Sequence, residues 1–169
     1  MPAPVIIYAY NPKWPQLFLT EKKIIYEVLG SKSRSINHIG STSIEGLASK
    51  DIVDIIVGVE SKQVADECQL ILFDVGYHDV TKEDSSEWFY CLGKQLERAY
   101  CHLHLVLEGS THHLNHLIFR DYLKSHPEAV KEYSDLKYKM AKQLRNDRIA
   151  YTNSKSAFIE KILLLAKQE

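Results

Sequence analysis

His38-Ile39-Gly40-Ser41-Thr42-Ser43-Ile44-Glu45-Gly46-Leu47, followed by Lys50-Asp51-Ile52-Val53-Asp54-Ile55-Ile56-Val57, decides how the rest of the chain is read. An apolar residue leading into Gly-Ser-Thr-Ser reads as a strand ending in a turn, where glycine lets backbone amides approach a ligand and the hydroxyls cap a following helix. Helix N-termini hold anions through unpaired N–H groups and the positive end of the helix dipole. Gly40, Ser41 and Thr42 are therefore candidate phosphate-binding residues. The strand behind them is β-branched at Ile52, Val53, Ile55, Ile56 and Val57. Asp54 in their midst is a poor strand residue unless it faces a cleft, a metal or a hydrogen-bond partner.

Outward from this stretch the pattern is α/β, then helical. Val5 to Tyr8 is a short β-rich run ended by Asn11-Pro12, and Trp14 to Leu29 reads as an amphipathic helix stopped by Gly30. Ser35 to Ile39 is a strand. Ser61 caps a helix reaching Phe73, with Val64, Ala65, Cys68 and residues 70–73 as its buried side and Gly76 closing it. Lys82 to Glu87 is a polar loop; Trp88 to Leu92 and Ala99 to Leu107 are two strands joined through Gly93. Three helices follow, His112 to Ser125, Pro127 to about Arg145 and Asn153 to Lys167, the second burying Ala129, Tyr133, Leu136, Met140 and Leu144. The fold class is α/β (α+β), a mixed sheet over residues 1–110 with a helical C-terminal extension over 111–169, within one domain of 169 residues.

Composition narrows the partners. A formal net charge of -1 exerts no global pull on nucleic acid or anionic membrane, so any nucleic-acid contact would be local. No apolar run is long enough to cross a bilayer, and no basic region followed by an apolar run opens the chain, which reads as cytoplasmic. Cys68, Cys91 and Cys101 lack Cys-x-x-Cys spacing and read as buried free thiols.

His102 and His104 lie two residues apart in a predicted strand, so their imidazoles leave the same face. Such a pair can ligate metal or line a polar groove. Lys50 precedes the acidic strand and either reaches a phosphate or lies on the surface. Arg120 can clamp phosphate or pair with a neighbouring acid. Tyr151 and Lys155 open the last predicted helix, where an anion or a plain cap would be suited. Lys137 sits in a lysine run that reads as a solvated helix face, and His112, His113 and His116 as a solvent-facing first turn. There is no P-loop and no Gly-x-Ser-x-Gly run.

Gly40-Ser41, twelve intervening residues and then Asp54 in an apolar strand resembles the nucleotidyltransferase superfamily pattern. More narrowly, His38 to Ser43, Gly46-Leu47-Ala48 with Lys50, Asp54-Ile55, Trp14-Pro15, His102 to Val106, Phe119 to Leu123 and Tyr151-Thr152 with Lys155 are similar to the GrpB family, a branch of that superfamily. Glu45 and Asp51 stand where proline is expected. The resemblance implies a nucleotidyltransferase-like core, with Asp54 and Ser41 in catalytic roles and Gly40, Ser41, Thr42, Lys50, Arg120, Tyr151 and Lys155 around a nucleotide or phosphorylated small molecule.

Within the superfamily pattern a second acid follows two positions after the first, on the same strand face, and here that position is Ile56. Asp51, an odd number of positions away, points to the other face. The strand expected to supply a further acid offers His102 and His104. If it lies beside the Asp54 strand, the metal set is Asp54, His102 and His104, two imidazoles and one carboxylate that suit zinc or another transition metal better than magnesium, and the ion is Mg, Mn or Zn. Three readings follow: a nucleotidyltransferase, a catalytically inactive binding module, or a metal-dependent phosphohydrolase.

Overall fold

The computed structural model describes residues 4–81 and 89–169. Its elements are α1 (Trp14–Leu29), β1 (Ser35–Ile39), β2 (Ile52–Val59), α2 (Lys62–Asp74), β3 (His78–Asp79), β4 (Tyr90–Gln95), β5 (Tyr100–Leu107), α3 (Thr111–Ser125), α4 (Pro127–Gln143), α5 (Arg148–Asn153) and α6 (Ser156–Ala166). The strands form one mixed sheet in the order β1-β2-β5-β4-β3. Strand β2 runs antiparallel to β1 and parallel to β5; β5–β4 and β4–β3 are antiparallel. The α/β class with a helical last third is the one expected.

Alternation along β2 and β5 divides the sheet into two chemically different faces. Val53, Ile55, Val57, Val59, Cys101, Leu103 and Leu105 point to the side covered by α1 and α2, where they join Ile25, Leu29, Cys68 and Leu72 in the main core. The helix α2 begins as its sequence dictates, with Ser61 accepting a hydrogen bond from Val64 N at 3.2 Å. Its buried residues are Ala65, Cys68 and Leu72; Leu70 is exposed, because a 3.6-residue period cannot turn four consecutive apolar residues inward.

The opposite sheet face carries Asp54 directly beside His102, and Ile56 beside His104. Ile39, Ile56 and Val106 form a small apolar cluster there with Leu117 of α3. The C-terminal helices close over this face. Ile44 and Leu47, from the loop after the Gly-Ser turn, are completely buried among Leu123, Val130, Tyr133, Phe158 and Ile162 of α3, α4 and α6. Each such side chain contributes about 1.5–3 kcal/mol on burial, enough to pin the loop between sheet and helices.

Several local expectations are corrected. Val5 to Tyr8 is not a strand: only Tyr8 pairs, with Ser49, while Val5 N donates to the Arg145 carbonyl at 2.8 Å and its side chain packs on Ala141 and Tyr151. No α-helix follows the Gly-Ser turn. Ser41–Ser43 forms one 3-10 turn whose N-cap, Gly40, makes no side-chain cap bond. Gly93 lies inside β4, and the chain reverses at 96–99, where Leu96 N donates to the Ala99 carbonyl. A Cβ at Gly93 would lie 2.0 Å from the Tyr100 hydroxyl, so a larger residue there would have to displace that ring. The polar loop over Lys82 to Glu87, and Trp88, lie outside the described residues; β4 starts at Tyr90. The final helix is broken at Ser154-Lys155 into α5 and α6.

Candidate functional site

The cleft is built where the Gly-Ser turn, the middle of the sheet and the C-terminal helices meet. Its volume is about 360 Å³, and Gly40, Ser41, Lys50, Asp54, His102, Tyr151 and Lys155 of the expected residues line it. Thr42, His104 and Arg120 do not. Thr42 is fully buried and its hydroxyl lies 3.0 Å from His38 Nε2, an imidazole stacked on Phe18 on the other side of the sheet. Arg120 makes a two-pronged contact with Asp121, at 2.7 and 3.0 Å, and donates to the His38 carbonyl at 3.1 Å. The bond to His38 fastens α3 to the end of β1, and Asp121 holds the guanidinium in place.

Gly40 is required twice over. Its φ of 66° with ψ of -174° lies in a region open essentially to glycine alone. A Cβ there would also lie 2.5 Å from Asp54 Oδ2. The turn is thus seated on the Asp54 carboxylate, and its 3-10 geometry is closed by Ser43 Oγ donating to the Gly40 carbonyl at 2.6 Å. Asp51, found where proline was expected, accepts a hydrogen bond from Trp14 Nε1 at 2.6 Å and ties the start of β2 to α1.

Asp54 Oδ1 lies 3.5 Å from His102 Nδ1 and 4.0 Å from His104 Nε2. These distances are long for hydrogen bonds, so the attraction is mainly electrostatic. Burial pushes the Asp54 carboxyl up, but the two imidazoles outweigh burial and hold it well below the usual carboxylate range. Beyond His104 the imidazoles continue: His116 stacks near it at 6.2 Å between centroids, and His112 meets His116 at 4.5 Å. Burial and the neighbouring imidazoles of His112 and His104 lower His116 to about 3. His112 and His116 therefore line the cleft rather than face solvent, while His113 is buried and accepts from Gly109 N at Nδ1.

The residue that sequence reasoning missed is Lys137. It is 2% exposed, and its Nζ donates to Ser41 Oγ at 2.7 Å and to the Ala48 carbonyl. Burial, then the charges of Lys155 and Lys50, lower it well below the ordinary lysine value, with Asp54 opposing. A signal was present: a four-residue step from Tyr133 along the buried stripe lands on Lys137 and then Ala141. Lys155, at the break between α5 and α6, sits 4.7 Å from the Tyr151 ring centroid, and Lys50 sits 5.9 Å from it. Burial and Lys50 lower Lys155 to about 8, against an upward pull from Asp54. Three lysines thus face one carboxylate in a partly desolvated cleft, a field that attracts anions.

Among the described residues no group of three or more His, Cys, Asp or Glu side chains is arranged to hold a metal ion. Asp54 is the only carboxylate lining the cleft among them. No helix among the described residues is long and apolar enough to cross a membrane.

Fold and cleft together define a mixed α/β protein with a lysine-lined cleft at a Gly-Ser turn. The sequence profile of the GrpB protein family matches residues 4–164, and the chain belongs to the GrpB family. It is 35% identical over 163 residues to the glutamate-rich protein GrpB of Alkalihalophilus pseudofirmus, a match covering 94% of each chain. The crystal structure of the conserved protein GrpB from Enterococcus faecalis superposes with a TM-score of 0.85 at 30% identity, covering 96% of this chain and 98% of that one. A more distant relative, 26% identical over 177 residues, is named dephospho-CoA kinase in Mycobacterium bovis; the match covers 90% of this chain and 44% of that protein.

Proposed function

We propose that the protein binds a nucleotide or other phosphorylated small molecule in the cleft, with Ser41, Lys50 and Lys137 on its anionic end and Lys155 beside them. The observation that carries this reading is the convergence of three lysines on the Gly40-Ser41 turn, with Lys137 bonded directly to Ser41 Oγ. The turn binds through side chains rather than a helix dipole, since one 3-10 turn offers little dipole. A volume of about 360 Å³ suits a small molecule and not a macromolecule. The kinase name of the Mycobacterium bovis relative makes nucleotides the first ligands to try.

Nucleotidyl transfer is the reaction this reading favours, with a divalent metal such as Mg or Mn held at Asp54 together with substrate phosphate oxygens. His102 and His104 stand beside that carboxylate rather than completing a three-residue metal group. A bound metal supplies charge neutralisation on the phosphates. Magnesium is commonly held by one or two carboxylates together with substrate phosphate oxygens, and a cleft with Asp54 as its one described carboxylate is suited to that sharing. The protein's own contribution is to hold the phosphates on Ser41 and the lysines and to orient them against Asp54. A second reading, recognition without turnover, is favoured by Ile56, which is buried under Leu117 at the position where a second acid would stand.

Calorimetry of wild type and Asp54→Asn with ATP, with and without Mg²⁺, Mn²⁺ or Zn²⁺, tests both parts. Wild type should bind ATP more tightly with metal, and the variant should lose that gain. Pyrophosphate release in the presence of metal would favour transfer; binding without release favours recognition alone. No binding of ATP, pyrophosphate or orthophosphate by the wild type would remove the reading.

A further inference from the structure

Among the cleft lysines, Lys155 differs from Lys137 in what its amine is committed to. Lys137 is enclosed, with its Nζ spent on Ser41 and Ala48. Lys155 Nζ makes no hydrogen bond or ion pair to any described residue and lies over the Tyr151 ring while lining the cleft. Its backbone position is fixed on both sides: Lys155 N donates to the Thr152 carbonyl, and the Lys155 carbonyl accepts from Ile159 N at the start of α6. An amine held in place, open to a small cavity and unpaired is set up as a nucleophile rather than only as a charge.

We propose that Lys155 captures the carbonyl carbon of a small phosphorylated aldehyde or ketone as an imine, the phosphate being anchored by Ser41, Lys50 and Lys137. The inference rests on the anionic-ligand reading of the cleft and goes beyond it by naming a covalent step and a carbonyl-bearing ligand. The neutral Nζ donates its lone pair to the carbonyl carbon while the carbonyl oxygen takes up a proton, giving a carbinolamine. Loss of that oxygen as water and of the remaining N–H proton leaves a C=N bond. Amine and carbonyl are consumed, imine and water are formed, and nothing is oxidised or reduced. The supporting chemistry is the lowered affinity of Lys155 for its proton, which leaves a substantial neutral fraction near neutral pH, whereas an ordinary surface lysine has almost none. The cleft supplies the other requirements. Lys50 and Lys137 place amine N–H donors against a phosphate, and Phe119, Ile159 and Leu163 provide an apolar wall for the carbon skeleton. The volume of about 360 Å³ confines the ligand to a small one.

The test uses the full chain with pyridoxal 5'-phosphate and, separately, pyridoxal, each trapped with borohydride at pH 7.5 and mapped by peptide mass spectrometry. Lys155 is expected to carry the label, at least tenfold faster with the phosphate-bearing probe, and pyrophosphate should protect it. Lys155→Arg should lose that label while circular dichroism shows the native fold. Labelling spread over exposed lysines such as Lys22 and Lys131, with Lys155 unmodified, overturns the inference, as does equal labelling by the two probes. Calorimetry of wild type with ATP reads the phosphate-binding function independently, so that function can stand when the covalent step fails.

Discussion

Lys137 Nζ and Ser41 Oγ, ninety-six positions apart in the chain, lie 2.7 Å from each other, and this bond joins helix α4 to the turn at the end of β1. The same amine donates to the Ala48 carbonyl, and Ala48 N in turn donates to Ser134 Oγ at 3.2 Å. The turn, the loop behind it and α4 therefore form one unit around a single buried lysine amine.

Replacing Lys137 with methionine keeps the shape of the side chain and removes the charge and both bonds. Leaving the Ala48 carbonyl and Ser41 hydroxyl without this donor should cost about 1–3 kcal/mol, offset in part because a buried charge is also removed. Phosphate or ATP affinity should fall tenfold or more. Thermal unfolding and calorimetry read the two effects separately, and an unchanged affinity would take Lys137 out of the anion cradle.

Gly40→Ala should be among the most damaging single-methyl changes in the chain. The backbone conformation costs about 1–3 kcal/mol for a residue with a Cβ, and the methyl meets the Asp54 carboxylate as well. Loss of stability above about 2 kcal/mol with loss of ligand binding is expected in denaturant titrations and calorimetry. Gly46→Ala is the control: its φ is also positive, but a Cβ there meets nothing within 4 Å, so only the backbone strain remains.

Arg120→Ala should separate stability from binding. Its guanidinium is committed to Asp121 and to the His38 carbonyl and does not line the cleft. Stability should fall by about 1–2 kcal/mol, with phosphate affinity within twofold of wild type. A tenfold loss of affinity without loss of stability would restore the phosphate-clamp role expected from the family resemblance.

Acid should weaken the fold through His38 and His116. Burial lowers His38 to about 4, and burial with neighbouring imidazoles lowers His116 to about 3. An unfolded histidine titrates near 6.5, so below that pH the unfolded chain binds protons the folded chain refuses. The stability contribution is fully present above about pH 6.5 and declines as pH falls toward 4 and then 3, by up to about 1.4 kcal/mol per pH unit for each group. His116→Phe, which keeps a ring beside His104, should flatten the pH dependence of Tm between 4 and 6.5; an unaltered slope would exclude His116 as a contributor.

The order of α1, β1, β2, α2, β4, β5, α3 and α4 was legible because it rests on local chemistry. Ser61 as a cap, Gly30 with its positive φ after α1, Pro127 opening α4 and the alternation in β5 act within a few residues of themselves. The pairing of Asp54 with His102 and His104 on one sheet face also followed from two-residue periodicity, once β2 and β5 were known to be neighbours. Tertiary structure decided what periodicity does not encode. Arg120 and Lys137 both carry charge on amphipathic helices, yet one is spent on a neighbouring acid and a backbone carbonyl while the other is enclosed against Ser41. That choice depends on which helix lies over the turn. The turn itself became a 3-10 turn because Ile44 and Leu47 are drawn into the core between α3, α4 and α6, leaving too little chain before β2 for an α-helix. Sequence determined which residues could serve a phosphate; packing determined which of them share a cleft, because burial and long-range contacts arise only when distant segments meet.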